Sequence, residues 1–190
     1  MPRQTTLTNG SERLDYSTKE TAQCIREALK AAFPGGKFSV TTSYASMTSA
    51  TSIRWTDGPT EPEVEYVTNR FTSKTFDGSD DSTHYHAQDF HGQRVQFSGW
   101  VQTTRYVSVA LLTKALARYQ ALRAEYGLPA ADLAVTENGR HPYIGGRDVN
   151  AAAGVNPGGY RYAFRYCSDA VQSIAYHLRP NGIRVIMKDR

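Results

Sequence analysis

The stretch YSTKETAQCIREALKAAFPGGKFSV, residues 16–40, decides how the fold begins. Ser17 or Thr18 is suited to cap a helix, and Glu20 follows in the first turn, where it can complete a capping box. Apolar residues then recur at helical spacing, at Ala22, Ile25, Leu29 and Phe33. Pro34-Gly35-Gly36 ends the pattern. The stretch therefore predicts an amphipathic helix, followed in its last four letters by a strand.

After this helix the chain changes to short alternating segments. KFSV and TSIRW predict two strands joined by a Ser/Thr-rich loop over residues 41–52, with Tyr44 and Met47 at its tip. EPEVEYVTNRF predicts a second helix, because Pro62 lies in its first turn and the acidic residues there complement the helix dipole. This part of the chain is therefore predicted to be an α-β-β-α unit.

The second half mixes the same element types. RVQFSGWVQTTRYVSV predicts one long strand or a pair around Gly99, and ALLTKALARYQALRAEYG predicts a strong helix. A hairpin is expected on Asn138-Gly139. YRYAFRYC and IRVIMK alternate like strands. The segment 168–179 fits both a helix and a strand, and we favour the helix.

These patterns predict an α+β fold, in which the α-β-β-α unit packs with a second mixed unit on antiparallel sheet. Residues 1–14 are polar and aperiodic and are predicted to be a flexible leader. The first unit is assigned to 15–108 and a basic second unit to 109–190, packed as one globule. The helices over 18–33 and 109–126 are expected to cover sheet faces.

Composition narrows the class of protein. No apolar run approaches the ~20 residues of a membrane span, and the N-terminus lacks the apolar core of a secretory signal. Cys24 and Cys167 stand apart and outside any CxxC pair. A cytoplasmic protein with reduced thiols and no membrane partner is therefore expected.

The formal net charge of +4 is unevenly spread. Residues 1–80 hold nine Lys/Arg against ten Asp/Glu, whereas residues 81–190 hold thirteen against eight. This asymmetry favours a polyanionic partner that meets the C-terminal portion, with ordinary solubility as the alternative.

Three segments of the first half resemble a known family. They are YSTKETAQCIREALKAAFPGGKFSV, SIRWTDGPTEPEVEYVTNRF and FDGSDD, and the order CIREALKAAFPGGKFSV followed by the WTDGP turn carries the likeness. The pattern is similar to the large polyvalent protein-associated domain, family 29, over residues 15–108. That resemblance implies a phage or conjugative-element protein, since such domains occur beside modules that act on DNA or counter host defence. It brings no catalytic residues with it.

The polar connector FDGSDDSTHYHAQDFHG holds three of the five histidines of the chain. A zinc site would draw its nitrogen and oxygen donors from His84, His86, His91 and Asp89. Carboxylates for Mg²⁺ would come from Asp77, Asp80 and Asp81. Turn formation explains such residues more simply, and a connector exposes histidines at no cost. We therefore favour a connector without metal, and expect no cofactor.

Enzyme signatures are missing from the sequence. It contains no GxxxxGK[ST] phosphate loop, no GxGxxG fingerprint and no GxSxG elbow. The protein is therefore expected to act without catalysis, and a metal-dependent enzyme ranks last among the hypotheses.

A nucleic-acid surface has more support in the second half. YRYAFRYC places Arg161 and Arg165 on one strand face, and its tyrosines either stack on bases or belong to the core. The candidate phosphate-binding residues are Arg140, Arg147, Arg161, Arg165, Arg184, Lys114 and Arg118. Tyr44 and Met47 are the candidates for contact with a partner.

Two hypotheses follow from these features. In the first, the protein is a non-catalytic nucleic-acid-binding accessory of a phage or conjugative element, acts in counter-defence and has DNA or RNA as its partner. In the alternative, it is an inhibitor that binds a host defence protein complex directly, of the anti-CRISPR or anti-restriction type. The sequence leaves the oligomeric state open.

Overall fold

The computed structural model describes residues 1–46, 48–125, 127–138, 141–146 and 167–178. Its helices and sheets confirm the predicted α+β class. The chain forms two compact units. The described residues of the first are Met1–Trp55 and Glu61–Thr104, and those of the second are Thr56–Thr60 and the described residues from Arg105 onward.

The first unit contains two helices and most of the strands. It opens with β1 (Arg3–Thr6), β2 (Glu12–Tyr16), α1 (Thr18–Ala32), β3 (Ser39–Ala45) and β4 (Thr48–Thr56). It continues with α2 (Glu61–Thr68), a 3-10 turn (Asn69–Phe71), β5 (Lys74–Asp77) and β6 (Ser82–Tyr85). It closes with β7 (Gln88–Phe90), β8 (Gln93–Phe97) and β9 (Trp100–Tyr106), and the last two residues of β9 belong to the second unit.

These strands form three sheets. One has the order β1-β2-β8-β7, in which β2 runs parallel to β8 and the other pairs are antiparallel. The second has the order β3-β4-β9, and the third is the antiparallel hairpin β5–β6. The pair β8 and β9, on either side of Gly99, resolves the alternative that the sequence left open.

Helix α1 begins and ends as the sequence predicts. Glu20 N donates to Ser17 Oγ at 3.4 Å, and Ser17 N donates to Glu20 Oε2 at 2.9 Å, which completes the capping box. The buried face of the helix carries Ile25 and Leu29. It packs against α2, β2 and β3, so the helix covers sheet strands as expected.

The core of the first unit is apolar and rich in aromatic side chains. Its buried members are Ile25, Leu29, Phe33, Ile53, Trp55, Val64, Val67, Phe71, Val95 and Phe97. Cys24 packs against this cluster as a free thiol, and its partial burial, together with the charge of Glu27, raises its pKa.

The prediction of a flexible leader over residues 1–14 is wrong. Arg3 pairs with Asp15 in β1–β2, and Leu14 pairs with Val95 in the parallel β2–β8 ladder. The sequence conceals these strands because most of their side chains are polar, while backbone pairing holds the segment in the sheet.

The loop predicted over 41–52 is also largely strand. The β3–β4 ladder runs from Ser39↔Arg54 to Ala45↔Thr48, which leaves a tight turn at the tip. Threonine is β-branched and suits a strand, so a Ser/Thr-rich segment does not have to be a loop. Tyr44 lies near the tip and is exposed, whereas Met47 is outside the described residues.

The second unit is built on helix packing. It contains α3 (Val109–Glu125), the hairpin β10 (Leu133–Asn138) and β11 (His141–Gly146), and α4 (Cys167–His177). Helix α3 packs against α4, β10 and β11. The buried cluster contains Leu112, Ala115, Tyr119, Ala131, Ile144, Ala170, Val171, Ile174 and Ala175.

This unit confirms two predictions. β10 and β11 pair antiparallel up to Asn138↔His141, so the predicted hairpin is present, while residues 139 and 140 lie outside the described residues. The ambiguous segment is helical, as we favoured, and it buries Val171, Ile174 and Ala175. The strands predicted for YRYAFRYC up to Tyr166 and for IRVIMK lie outside the described residues.

Arg105 ties segments of the second unit together in a way that the sequence did not signal. Its guanidinium donates to Asp57 O at 3.1 Å and to Gly58 O at 3.3 Å. It also donates to carbonyls at the end of α4, including Leu178 O at 2.7 Å and Ala175 O at 3.2 Å. A cation at a helix C-terminus satisfies free carbonyls and complements the helix dipole.

We predict that Ser17→Ala lowers the free energy of unfolding by about 1 kcal/mol, because α1 loses its capping box. The pKa of Glu20 is lowered to about 2, chiefly by hydrogen bonds from the N-terminal ammonium and from Ser17. A depressed carboxyl pKa stabilises the fold above the unfolded pKa of about 4.5 and loses that effect as pH falls towards 2. The deficit of Ser17→Ala should therefore shrink between about pH 5 and about pH 3.

Urea unfolding at each pH measures this deficit. Lys19→Ala is the control, because Lys19 is exposed in the same turn and takes no part in the cap. Equal losses in the two variants would show that the capping box contributes nothing.

Candidate anion-binding cleft

The hairpin β5–β6 sorts its side chains onto two faces. Lys74 pairs with Tyr85, and Phe76 pairs with Thr83. Paired residues share a face and neighbours along a strand alternate, so these four side chains lie on one face. Side chains on the opposite face include Asp77 and His84. The connector predicted from FDGSDDSTHYHAQDFHG is therefore wrong, since the segment contributes to two hairpins, β5–β6 and β7–β8.

Lys74 is the unusual residue on this face. It is only 8% exposed, and its Nζ lies 5.3 Å from the centre of the Tyr85 ring and 5.6 Å from that of Trp100. Both distances are within the ~6 Å reach of a cation–π interaction. The two rings therefore hold a positive charge at a fixed place on the unit.

The Lys74 ammonium has no carboxylate to balance it within the part of the chain that the structure describes. Buried lysines are rare without such a partner, because taking an ammonium out of water is costly. The two rings offset part of that cost, and the three N–H donors of the ammonium remain suited to an anionic ligand.

Lys74 lines a cleft of about 460 Å³. Its walls come from the β3–β4 tip, the hairpin β5–β6 and the end of β8, and its lining residues are Ala45, Ser46, Thr48, Ser49, Lys74, Tyr85, Gln96, Phe97, Ser98 and Gly99. Hydroxyl and amide groups therefore surround one cation, in a space of the size that small-molecule sites have.

Gly99 allows two walls of the cleft to approach closely. Its φ is +90°, and an added Cβ would lie 3.2 Å from Ser49 O, from Ser49 Oγ and from Thr18 Cγ2. Ser49 Oγ in turn accepts a hydrogen bond from Thr18 Oγ1 at 2.8 Å. The start of α1 therefore supports the serine wall of the cleft.

Ser73 fixes the hairpin that carries Lys74. Its side chain is fully buried and its Oγ accepts a hydrogen bond from Phe97 N at 3.0 Å. Its carbonyl accepts a hydrogen bond from His86 N at 3.1 Å. These bonds connect the first residues of β5 to β8 and to the end of β6, which sets the position of the lysine.

Three exposed aromatic side chains lie on the strands whose residues line the cleft. Tyr44 is 60% exposed, Phe76 57% and Tyr85 58%, whereas rings of the core such as Phe71 are 1% exposed. Tyr44 pairs with Ser49 across β3–β4 and shares its face. Tyr85 lines the cleft, and Tyr44 and Phe76 lie on strands that contribute to it, so these rings are not needed to fill the core.

The structure does not bring the predicted zinc ligands together. Asp89 Oδ1 accepts a hydrogen bond from Gly92 N at 3.1 Å in the β7–β8 turn. The centre of the His91 ring lies 4.3 Å from the centre of the Phe90 ring. His86 contributes its backbone N–H to Ser73. His84 Nε2 lies 2.8 Å from Ser82 Oγ. The ligand atoms of His84, His86, His91 and Asp89 thus do not form one cluster in the described part of the chain, and metal binding by any of them stays untested.

Asp77, Asp80 and His84 do offer ligand atoms within 4.8 Å of one another, but all three side chains are exposed. Asp77 Oδ1 accepts hydrogen bonds from Ser79 Oγ at 2.6 Å and from Ser79 N at 2.9 Å, and these bonds lower the pKa of Asp77. Asp80 Oδ1 accepts a hydrogen bond from Ser82 N at 3.0 Å. The turn chemistry that the sequence suggested for these residues is confirmed.

Of the predicted phosphate-binding residues, Arg140, Arg147, Arg161, Arg165 and Arg184 lie outside the described residues. Lys114 and Arg118 lie on α3, where both are exposed, and Arg118 Nη1 is 3.7 Å from Glu125 Oε1. The role predicted for these residues stays a prediction. Lys74 was not predicted as a site residue, although the alternation in KTFD and STHY indicates its hairpin.

The unit that holds the cleft belongs to a class of domain found in proteins of phages and other mobile genetic elements. Residues 16–109 match the model of the family described as large polyvalent protein associated domain 29, and this part of the chain belongs to that family. The match confirms the resemblance and includes every residue that lines the cleft. Searches of curated proteins and of solved structures find no match. No helix in the described ranges has the length and apolar content to cross a membrane.

We predict that Gly99→Ala destabilises the protein more than Gly10→Ala, by about 1 kcal/mol or more. Both glycines have positive φ, at +90° and +78°, but an added Cβ at Gly10 meets nothing within 4 Å. The difference in their unfolding free energies in urea therefore measures crowding at the cleft wall. Equal losses of unfolding free energy in the two variants would show that the residues around Gly99 can move to accommodate a Cβ at little cost.

A second prediction concerns metal. Because the four predicted ligands have other roles, purified protein should carry substoichiometric zinc, and a chelator should leave its melting temperature unchanged. Metal analysis and thermal unfolding check this. Stoichiometric zinc that is lost together with stability in the double variant His84→Ala, His86→Ala would contradict it.

Proposed function

We propose that the protein is a non-catalytic nucleic-acid-binding accessory of a phage or conjugative element, and that it binds phosphate at the Lys74 cleft. The observation that carries the proposal is the Lys74 ammonium, which lies 5.3 Å and 5.6 Å from the centres of two aromatic rings, lacks a carboxylate among the described residues and belongs to a side chain that lines an open cleft. The family context supports the mobile-element part.

The chemistry of the cleft suits phosphate. Lysine binds phosphate as a point charge, and the hydroxyls of Ser49 and Ser98 are suited to donate to its remaining oxygens. The lysine side chain is buried and its ammonium lies near two rings, so its position is already restricted in the free protein. Less free energy is therefore lost in ordering this side chain when an anion binds.

The border of the cleft favours a nucleic acid over a small free anion. Tyr44, Phe76 and Tyr85 offer exposed aromatic surface, to which a nucleotide presents a flat base but a free phosphate presents nothing. The net charge of +4 adds a long-range attraction for a polyanion.

The C-terminal basic residues are proposed as a second contact. Arg161 and Arg165, which the sequence predicts on one strand face, would neutralise further phosphates of a nucleic acid. Their contribution would appear mainly in the salt dependence of binding, because contacts between arginine and phosphate release counterions.

Counter-defence is the proposed setting for this activity. An inhibitor that binds a host defence protein complex remains the second candidate, because carboxylates on a protein surface offer the Lys74 cleft the same negative charge. Salt titration with nucleic acid alone separates the two, since the second candidate requires no nucleic acid.

We predict that Lys74→Met weakens binding of an oligonucleotide about tenfold at ~0.1 M salt, because one phosphate contact is lost. The slope of log affinity against log salt should fall by roughly 0.7 for a single strand or 0.9 for a duplex. Methionine has a volume similar to that of lysine, so the melting temperature of the variant should equal that of the parent. Fluorescence anisotropy with a labelled oligonucleotide makes the measurement.

Lys37→Met is the matched control, because Lys37 is exposed and lies outside the lining of the cleft. It makes the same change of charge and should bind as the parent does. Equal affinity of the parent and of Lys74→Met for the oligonucleotide would show that the Lys74 cleft does not bind it. No binding by the parent at about 50 mM salt would overturn nucleic-acid binding altogether and favour a host protein.

A further inference from the structure

We infer that the cleft selects single-stranded nucleic acid, with one phosphate at Lys74 and the neighbouring bases stacked on Tyr85 and Phe76. This inference rests on the proposed function and adds the class of nucleic acid and the way in which it lies on the hairpin β5–β6.

The hairpin places the charge and the two rings on one face. Tyr85 is the direct partner of Lys74, and Phe76 lies two residues along β5 on the same face. Residues two apart on a strand are separated by roughly 7 Å. That distance is comparable with the spacing of nucleotides in an extended single strand, so a phosphate at Lys74 leaves adjacent bases over the two rings.

The two rings are available for stacking. Tyr85 is 58% exposed and Phe76 57%, and Phe76 forms no ring contact with another aromatic side chain among the described residues. An exposed phenylalanine on a short hairpin contributes little to folding. Stacking of unpaired bases on exposed aromatic side chains is the common mode of single-strand recognition.

The depth of Lys74 argues against a duplex. Duplex phosphates lie on a stiff, wide backbone and are usually contacted by side chains that protrude from the protein. Lys74 is 8% exposed and lies within the cleft, between the rings of Tyr85 and Trp100. A flexible single strand can bend one phosphate into that cleft, whereas a duplex cannot do so without melting.

The decisive variant is Phe76→Leu, which keeps an apolar side chain but removes the aromatic face. We expect it to weaken binding of a labelled oligothymidine about fivefold to tenfold, with the salt slope unchanged, because stacking releases no counterions. Tyr85→Leu should weaken binding at least as much, since it also removes one ring from Lys74.

Tyr66→Leu is the matched control. Tyr66 is 59% exposed, lies on α2 in the same unit and is outside the lining of the cleft. This variant should bind oligothymidine as the parent does. Unchanged melting temperatures of Phe76→Leu and Tyr66→Leu confirm that both variants fold.

Two further probes separate the inference from the function on which it rests. A hairpin duplex should bind at least tenfold more weakly than oligothymidine, and an abasic oligonucleotide of the same length should lose affinity to a similar extent. If duplex, abasic strand and oligothymidine bind alike and Lys74→Met weakens all three, base stacking is wrong while phosphate binding stands. If none of them binds, both fail.

Discussion

One buried lysine, whose ammonium lies near two aromatic rings and lines a cleft, constrains the first unit. The Lys74 ammonium is tolerable in its place because two rings face it and because it reaches a cleft from which it can meet an anion. Several other features serve this arrangement. Ser73 fixes the start of the hairpin through Phe97 N, and Gly99 lets the opposite wall come close to Ser49. The cleft therefore depends on contacts that pass through three sheets of the unit.

Elements with a strong apolar period could be predicted from the sequence. Helix α1 has both an apolar stripe and a capping box, and the segment with Val171 and Ile174 buries its helical face as expected. The strands of Arg3–Thr6, Glu12–Tyr16 and Ser82–Tyr85 were missed, because most of their side chains are polar and no side of the alternation is strongly apolar. Their pairing is decided by backbone hydrogen bonds and by neighbours that are distant in sequence.

The candidate site could not be predicted from the sequence, for a related reason. Three histidines are close in sequence and form a visible pattern, whereas Lys74, Tyr85 and Trp100 are brought together only by the hairpin register and the packing of β9. Burial is what distinguishes Lys74 from the other lysines, and burial depends on the whole fold. The charge count did point to a polyanion, but the cleft lies in the half of the chain whose net charge is near neutral. A local arrangement of one cation and several rings therefore outweighs the overall balance of charge in this proposal.

Side-chain NMR tests most directly whether Lys74 Nζ contacts the phosphate of a bound strand. Lysine Nζ and Cε resonances can be followed while oligothymidine is added. We expect the Lys74 signal to shift and to saturate with the same dissociation constant as anisotropy gives, while the signal of Lys37 stays in place. An unchanged Lys74 signal at saturation, with shifts confined to other residues, would contradict this contact and show that any nucleic acid binds elsewhere on the chain.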